Sequence, residues 1–139
     1  MTHILKRLQK DIEKLNDLNL NFELNENELV YKRYKFIIGS NYPFTPPKLI
    51  LGDTEYINFF IRKYIKYNKN IPFLNIKCPC CFNITCEWCP SYNLRNMFNE
   101  CKEYLKTYHN LFNFLIVYKA EFFDDLVYKH ISEYFIDQN

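Results

Sequence analysis

The sequence predicts an α+β fold, and three observations carry that expectation. The chain opens on an amphipathic helical segment, strand-like alternation is confined to residues 20–51, and helical periodicity dominates from residue 93 onward. Strands and helices are thus segregated along the chain rather than alternating, which is the pattern of an α+β protein. One domain over residues 1–139 is expected, because 139 residues with 48% hydrophobic content suffice for a single core of ordinary size.

Each element has its own signal. From Thr2, an N-cap by residue type, Ile4, Leu5, Leu8, Ile12 and Leu15 recur at helical spacing, while Lys6, Arg7, Lys10 and Lys14 take other faces. "NLNFEL" alternates through Leu20, Phe22 and Leu24, "NENE" turns, and "LVYKRYKFII" alternates through Val30, Tyr34, Phe36 and Ile38. Two antiparallel strands joined by a short turn are therefore predicted. The prolines of "NYPFTPP" exclude both helix and central strand. That loop is expected to lead to a short strand, Lys48–Leu51, with Tyr42 largely buried. "EYINFFIRKYIKY" reads as a helix with Ile57, Phe60, Ile61, Tyr64 and Ile65 on one side, and residues 68–90 show no sustained period. From Asn93, the spacing of Leu94, Met97, Phe98, Cys101, Leu105 and Tyr108 predicts a second long helix. Leu111 to Ile136 is rich enough in Phe, Leu and Ile for one or two further helices, and no repeat or low-complexity linker interrupts the chain.

Composition narrows the partners. Aromatic residues make up 19% of the chain and glycine appears only as Gly39 and Gly52, so core volume comes from rings. The surplus of Asn, Lys, Tyr, Ile and Phe resembles proteins encoded by AT-rich genomes, such as those of large DNA viruses and some protists. The net charge of +2 is spread over alternating signs, and Lys77 is the lone basic residue of the cysteine segment, so a nucleic-acid partner is disfavoured. The opening lacks the apolar centre of a signal peptide, and no window reaches the roughly 18 apolar residues that a membrane span needs. An intracellular protein, cytoplasmic or nuclear, with no membrane partner is expected.

In a reducing compartment clustered cysteines point to metal or catalysis rather than to disulfides. "CPCCFNITCEWCP" holds five of the six cysteines. Two Cys-x2-Cys pairs, Cys78 with Cys81 and Cys86 with Cys89, have the tight-turn spacing that supplies two thiolates each to a tetrahedral structural zinc. The competing reading is four reduced, partly buried thiols. Cys80 is left over, eight residues before Trp88, and reads either as a nucleophile or as a space filler between metal knuckles. His3, His109 and His130 are scattered and single out no site.

Taken in order, "RLQKDIEKL", "YPFTPPKLIL" and "CCFNITCEWCP" leading into a helix resemble the ubiquitin-conjugating enzyme family over roughly residues 4–108. The resemblance implies that fold, with an N-terminal helix, an antiparallel meander, a long irregular segment bearing a catalytic cysteine, and C-terminal helices. It also implies an activity: a cysteine receives ubiquitin, or a ubiquitin-like modifier, from an activating enzyme and passes it to a lysine. By its distance from Trp88, Cys80 is the first candidate for that thioester, ahead of Cys86 and then Cys81. Asn75 of "PFLN" is the nearest remnant of the family's oxyanion-stabilising asparagine, whose His-Pro-Asn context is absent. Phe44 and Pro90 correspond to the ligase-binding surface, and Lys6 and Lys10 to the basic face that meets the activating enzyme. The meander reads one strand short of the family's, and a cysteine cluster is not typical of it. Two function classes stay open: a conjugating enzyme using Cys80, and a catalytically inactive binding module of the same fold stapled by zinc.

Overall fold

The computed structural model describes residues 3–71, 76–80 and 83–118. Helix α1, His3–Asn16, is followed by strands β1, Glu23–Asn25, β2, Glu28–Tyr31, and β3, Tyr34–Ile37. The proline loop then leads to β4, Lys48–Leu51, and β5, Thr54–Glu55, before helix α2, Tyr56–Asn70, and helix α3, Leu94–Tyr118. The architecture is α+β, with one antiparallel sheet in the order β1-β2-β3-β4-β5.

Register explains the core face of that sheet. Leu29 on β2 lies opposite Phe36 on β3, which lies opposite Leu49 on β4, and this cross-strand row is sealed from water. Each such side chain contributes on the order of 1.5–3 kcal/mol through burial. Tyr34 and Phe22 extend the same face and meet the edge of Phe98 on α3, with ring centroids 5.1 and 5.7 Å apart. Helix α1 packs on α3, and α2 packs on α3, β4 and β5. Phe60 carries the α2–α3 contact, stacking on Tyr108 at 5.7 Å and tilting against Tyr104 at 5.1 Å.

The predicted second strand is two strands. Tyr31 pairs with Tyr34, so Lys32 and Arg33 form a two-residue turn with Lys32 at φ 51°. No glycine or asparagine marks that reversal, and it shifts the phase of the alternation: Tyr31 and Tyr34 share the core side with Leu29 and Phe36, so Val30, grouped by the sequence with Tyr34 and Phe36, lies on the opposite face and is exposed. The meander before the proline loop therefore has three strands, not the two expected. The β4–β5 turn uses Gly52 at φ 71°, a conformation that glycine alone adopts without penalty.

The loop after β3 behaves as expected. "YPFTPP" joins β3 to β4 at the predicted residues, and Tyr42 is completely buried. The helix α3 pattern also holds, with Leu94, Met97, Phe98, Cys101 and Tyr108 buried. Its start is fixed by reciprocal capping, the Asn93 side chain accepting from the Asn96 amide at 3.0 Å and Asn96 returning the bond at 2.9 Å. In α2, Tyr56, Phe60 and Tyr67 are buried while Ile65 is half exposed, so the apolar stripe sits further round than the isoleucines suggested. Of the stretch Leu111 to Ile136, expected to form one or two further helices, the part up to Tyr118 continues α3 without a break, and the remainder lies outside the described residues.

Candidate functional site: an interlocked aromatic face and a cysteine loop

Three segments distant in sequence are tied together around Asp11. This carboxylate sits on the apolar stripe of α1, between Leu8 and Leu15, and is buried. It accepts the Tyr42 hydroxyl at 2.5 Å and Arg7 Nε at 2.8 Å. Burial, and then the bond to Asp11, hold the Tyr42 phenol well above its ordinary range, so it remains a donor. The same arginine reaches across to donate Nη2–H bonds to the carbonyls of Pro90 and Tyr92, each at 2.7 Å. Trp88 closes the arrangement by donating from Nε1 to the Pro43 carbonyl at 2.7 Å, its ring lying between Tyr42 and Tyr92. These contacts give Trp88 a structural role.

This interlock leaves an aromatic side chain outside. The Tyr42–Pro43 peptide is cis, and the amides of Phe44 and Thr45 both bond the Asn41 carbonyl, at 2.7 and 3.2 Å. With its backbone turned inward, Phe44 projects with 73% of its surface exposed, and Pro90 is exposed on the neighbouring segment. Lys6 and Lys10 are exposed on α1, where they line an open groove of about 520 Å³ with Arg7, Gln9 and Glu13.

The described part of the cysteine segment is held by two polar residues that the sequence did not single out. Buried Asn83 donates to the Pro79 carbonyl at 2.6 Å and accepts from the Cys86 amide at 2.9 Å, closing the loop like a clip. Glu100 on α3 accepts the Ile84 amide at 2.9 Å and the Tyr56 hydroxyl at 2.9 Å. These bonds tie the described part of the segment to its own backbone, to α2 and to α3.

The expected zinc site is accordingly corrected. Among the described residues no three Cys, His, Asp or Glu side chains gather to hold a metal ion. Cys78 Sγ lies 2.7 Å from Cys80 Sγ, Cys86 Sγ points to the Cys80 carbonyl at 3.8 Å, and Cys89 Sγ meets Ser91 Oγ at 2.8 Å. The spacing suited zinc, but the described sulfurs of Cys78, Cys86 and Cys89 each turn to a different local partner instead. Cys81 and Asn75 lie outside the described residues.

The cysteines differ in reactivity. Cys101 is buried in the core, and burial pushes its thiol up to about 12, which removes it as a nucleophile at neutral pH. Cys80 and Cys86 are exposed, while Cys78 is partly covered. Cys89 is exposed, and the Ser91 hydroxyl, then the Ser91 amide, hold its thiol below the ordinary value. Ser91→Ala should therefore move the midpoint of the pH–rate profile for Cys89 alkylation upward while leaving that of Cys86 in place. A mass-spectrometric time course across pH 6–9 checks this, and equal shifts at both cysteines would contradict the assigned cause.

No family model, no curated protein and no solved structure matches the chain. Neither the family resemblance nor the suggested viral source therefore gains a relative to stand on. No helix among the described residues is long and apolar enough to cross a membrane.

Proposed function

We propose that the chain is a ubiquitin-conjugating-type protein of the cytoplasm or nucleus that carries ubiquitin or a ubiquitin-like modifier on Cys80. The single observation that carries this reading is the interlock of α1, the proline loop and the 88–92 segment, which presents Phe44 and Pro90 outward from a fixed frame. An exposed aromatic held by a rigid backbone is the kind of residue that becomes an interface hot spot. Cys80, eight residues before Trp88 and exposed, is the thiol for the chemistry. As a thiolate it attacks the modifier's terminal carbonyl, displacing the activating enzyme's thiolate. A lysine amine then attacks the new thioester and releases Cys80.

A second reading is supported by a specific observation. Cys80 Sγ abuts Cys78 Sγ, and both polar groups of the nearby Asn83 are committed to the loop. A binding module that keeps the Phe44–Pro90 face without catalysis, and without zinc, fits those contacts equally.

The test is incubation with activating enzyme, ubiquitin and ATP, read on non-reducing gels. The conjugating reading expects an adduct that thiols cleave, replaced in Cys80→Ser by a reduction-resistant ester. Absence of any adduct with every activating enzyme tried leaves only the binding module. Phe44→Ala should change stability by no more than about 0.5 kcal/mol, as expected of an exposed side chain. It should keep the adduct, yet slow ligase-stimulated discharge by about 10-fold or more, equivalent to at least ~1.4 kcal/mol at a hot spot. Discharge at the wild-type rate with a panel of ligases would remove Phe44 from the interface.

A further inference from the structure

Cys78 and Cys80 are separated by buried Pro79 alone. The turn at Pro79 and Cys80 brings the two sulfurs to 2.7 Å and places Cys78 Sγ 3.5 Å from the Cys80 amide. A disulfide bond is about 2.05 Å long, so closing the pair needs only a small side-chain movement. The turn is itself held, because Asn83 grips the Pro79 carbonyl from within the loop, and neither cysteine is joined in a disulfide, with Cys80 facing solvent.

We propose that Cys78 and Cys80 form a thiol–disulfide exchange site for small disulfides of the glutathione class. Cys80, the exposed member, attacks one sulfur of oxidised glutathione as a thiolate, forming a mixed disulfide and releasing one glutathione thiolate. Cys78, as thiolate, then attacks the Cys80 sulfur, forming the intramolecular bond and releasing the second glutathione. The two protein thiols lose two protons and two electrons, and the electrons are taken up in cleaving the glutathione disulfide. A ring this short removes little chain entropy, and an exposed disulfide belongs to the labile class, so reduced glutathione reverses the reaction. One consequence rests on the function proposed above: closure withdraws Cys80 from thioester formation, making its acceptance of the modifier dependent on the redox poise of the compartment.

The test uses the full chain with neither activating enzyme nor modifier. Reduced protein is equilibrated with graded ratios of reduced and oxidised glutathione, quenched in acid, alkylated and mapped by peptide mass. The expected result is loss of two alkylatable thiols, located at Cys78 and Cys80, restored by excess reduced glutathione and unchanged in Cys81→Ser. Cys78→Ser should instead accumulate a glutathione adduct on Cys80, at least about 10-fold above wild type, since the resolving thiol is gone. If Cys78→Ser fails to fold by circular dichroism, Cys80→Ser serves, and it should form no intramolecular bond. Wild type retaining every alkylatable thiol across the series, a disulfide mapped to a different pair of cysteines, or a loss of two thiols that persists in either variant, overturns the proposal. A pair that closes in a protein whose reduced form accepts no modifier leaves the exchange site standing and removes the conjugating reading. A protein that forms the thioester but never closes the pair does the reverse.

Discussion

Asp11→Ala is expected to destabilise the protein by about 2–4 kcal/mol, because the buried Tyr42 hydroxyl loses its acceptor and partly exposed Arg7 loses a charge-assisted bond. The wild-type carboxylate is 1% exposed and holds both the Tyr42 hydroxyl and Arg7. Without it, Tyr42 keeps a completely buried hydroxyl lacking its acceptor, and Arg7 loses the contact that aims its other nitrogen at the Pro90 and Tyr92 carbonyls. Urea unfolding followed through the fluorescence of Trp88, the lone tryptophan, should show the loss as a lower midpoint. The melting temperature should fall on the order of 10 °C or more for a domain of this size. Tyr42→Phe should cost less, about 1 kcal/mol for a single hydrogen bond, because Arg7 still satisfies the carboxylate. Equal effects from the two changes, or an Asp11→Ala loss below 1 kcal/mol, would show that the network is not what joins the three segments.

Much of the frame is legible in the sequence for reasons of local chemistry. The prolines forbid helix around Tyr42, the α3 stripe repeats from Leu94 to Tyr108, and the Lys48–Leu51 strand follows directly from its punctuation. What escapes is decided by non-local partners. The Lys32–Arg33 reversal has no turn residue, because tertiary pairing of Tyr31 with Tyr34 imposes it. Asp11 did leave a trace, a lone carboxylate at position i+3 from Leu8 and i−4 from Leu15, on the face that otherwise reads apolar. Its identity as a network centre depended on Tyr42, 31 residues away. The cysteine spacing was read for its ligand potential, but spacing fixes only which sulfurs can approach and not which way they turn. Asn83 and Glu100 turn that loop, and neither belongs to a recognisable motif.

Glu100 gives the second large effect, and one with a sign in pH. Glu100→Ala leaves the Ile84 amide without its acceptor and takes from Tyr56 its bond at 2.9 Å, leaving only the longer Thr85 contact. A loss of about 2–3 kcal/mol is expected from unsatisfied, partly buried groups, with exchange of the Ile84 amide accelerated at least ~10-fold as the loop opens locally. Burial is the largest influence on the Glu100 carboxyl and raises it; the bonds from Tyr56 and Ile84 oppose this, and nearby Glu87 adds to it. The folded protein therefore holds this proton more tightly than the unfolded chain does. The associated stability is complete below the unfolded value, about 4.3 for glutamate, and is lost as pH rises through the higher folded value. Glu100→Gln cannot titrate and lacks that loss. The wild-type stability minus that of Glu100→Gln should consequently fall from pH 4 toward neutrality and then level. A difference that rises over the same interval would mean that the hydrogen bonds to the ionised carboxylate outweigh its burial, and that the cysteine loop is clamped by a charge rather than strained by one.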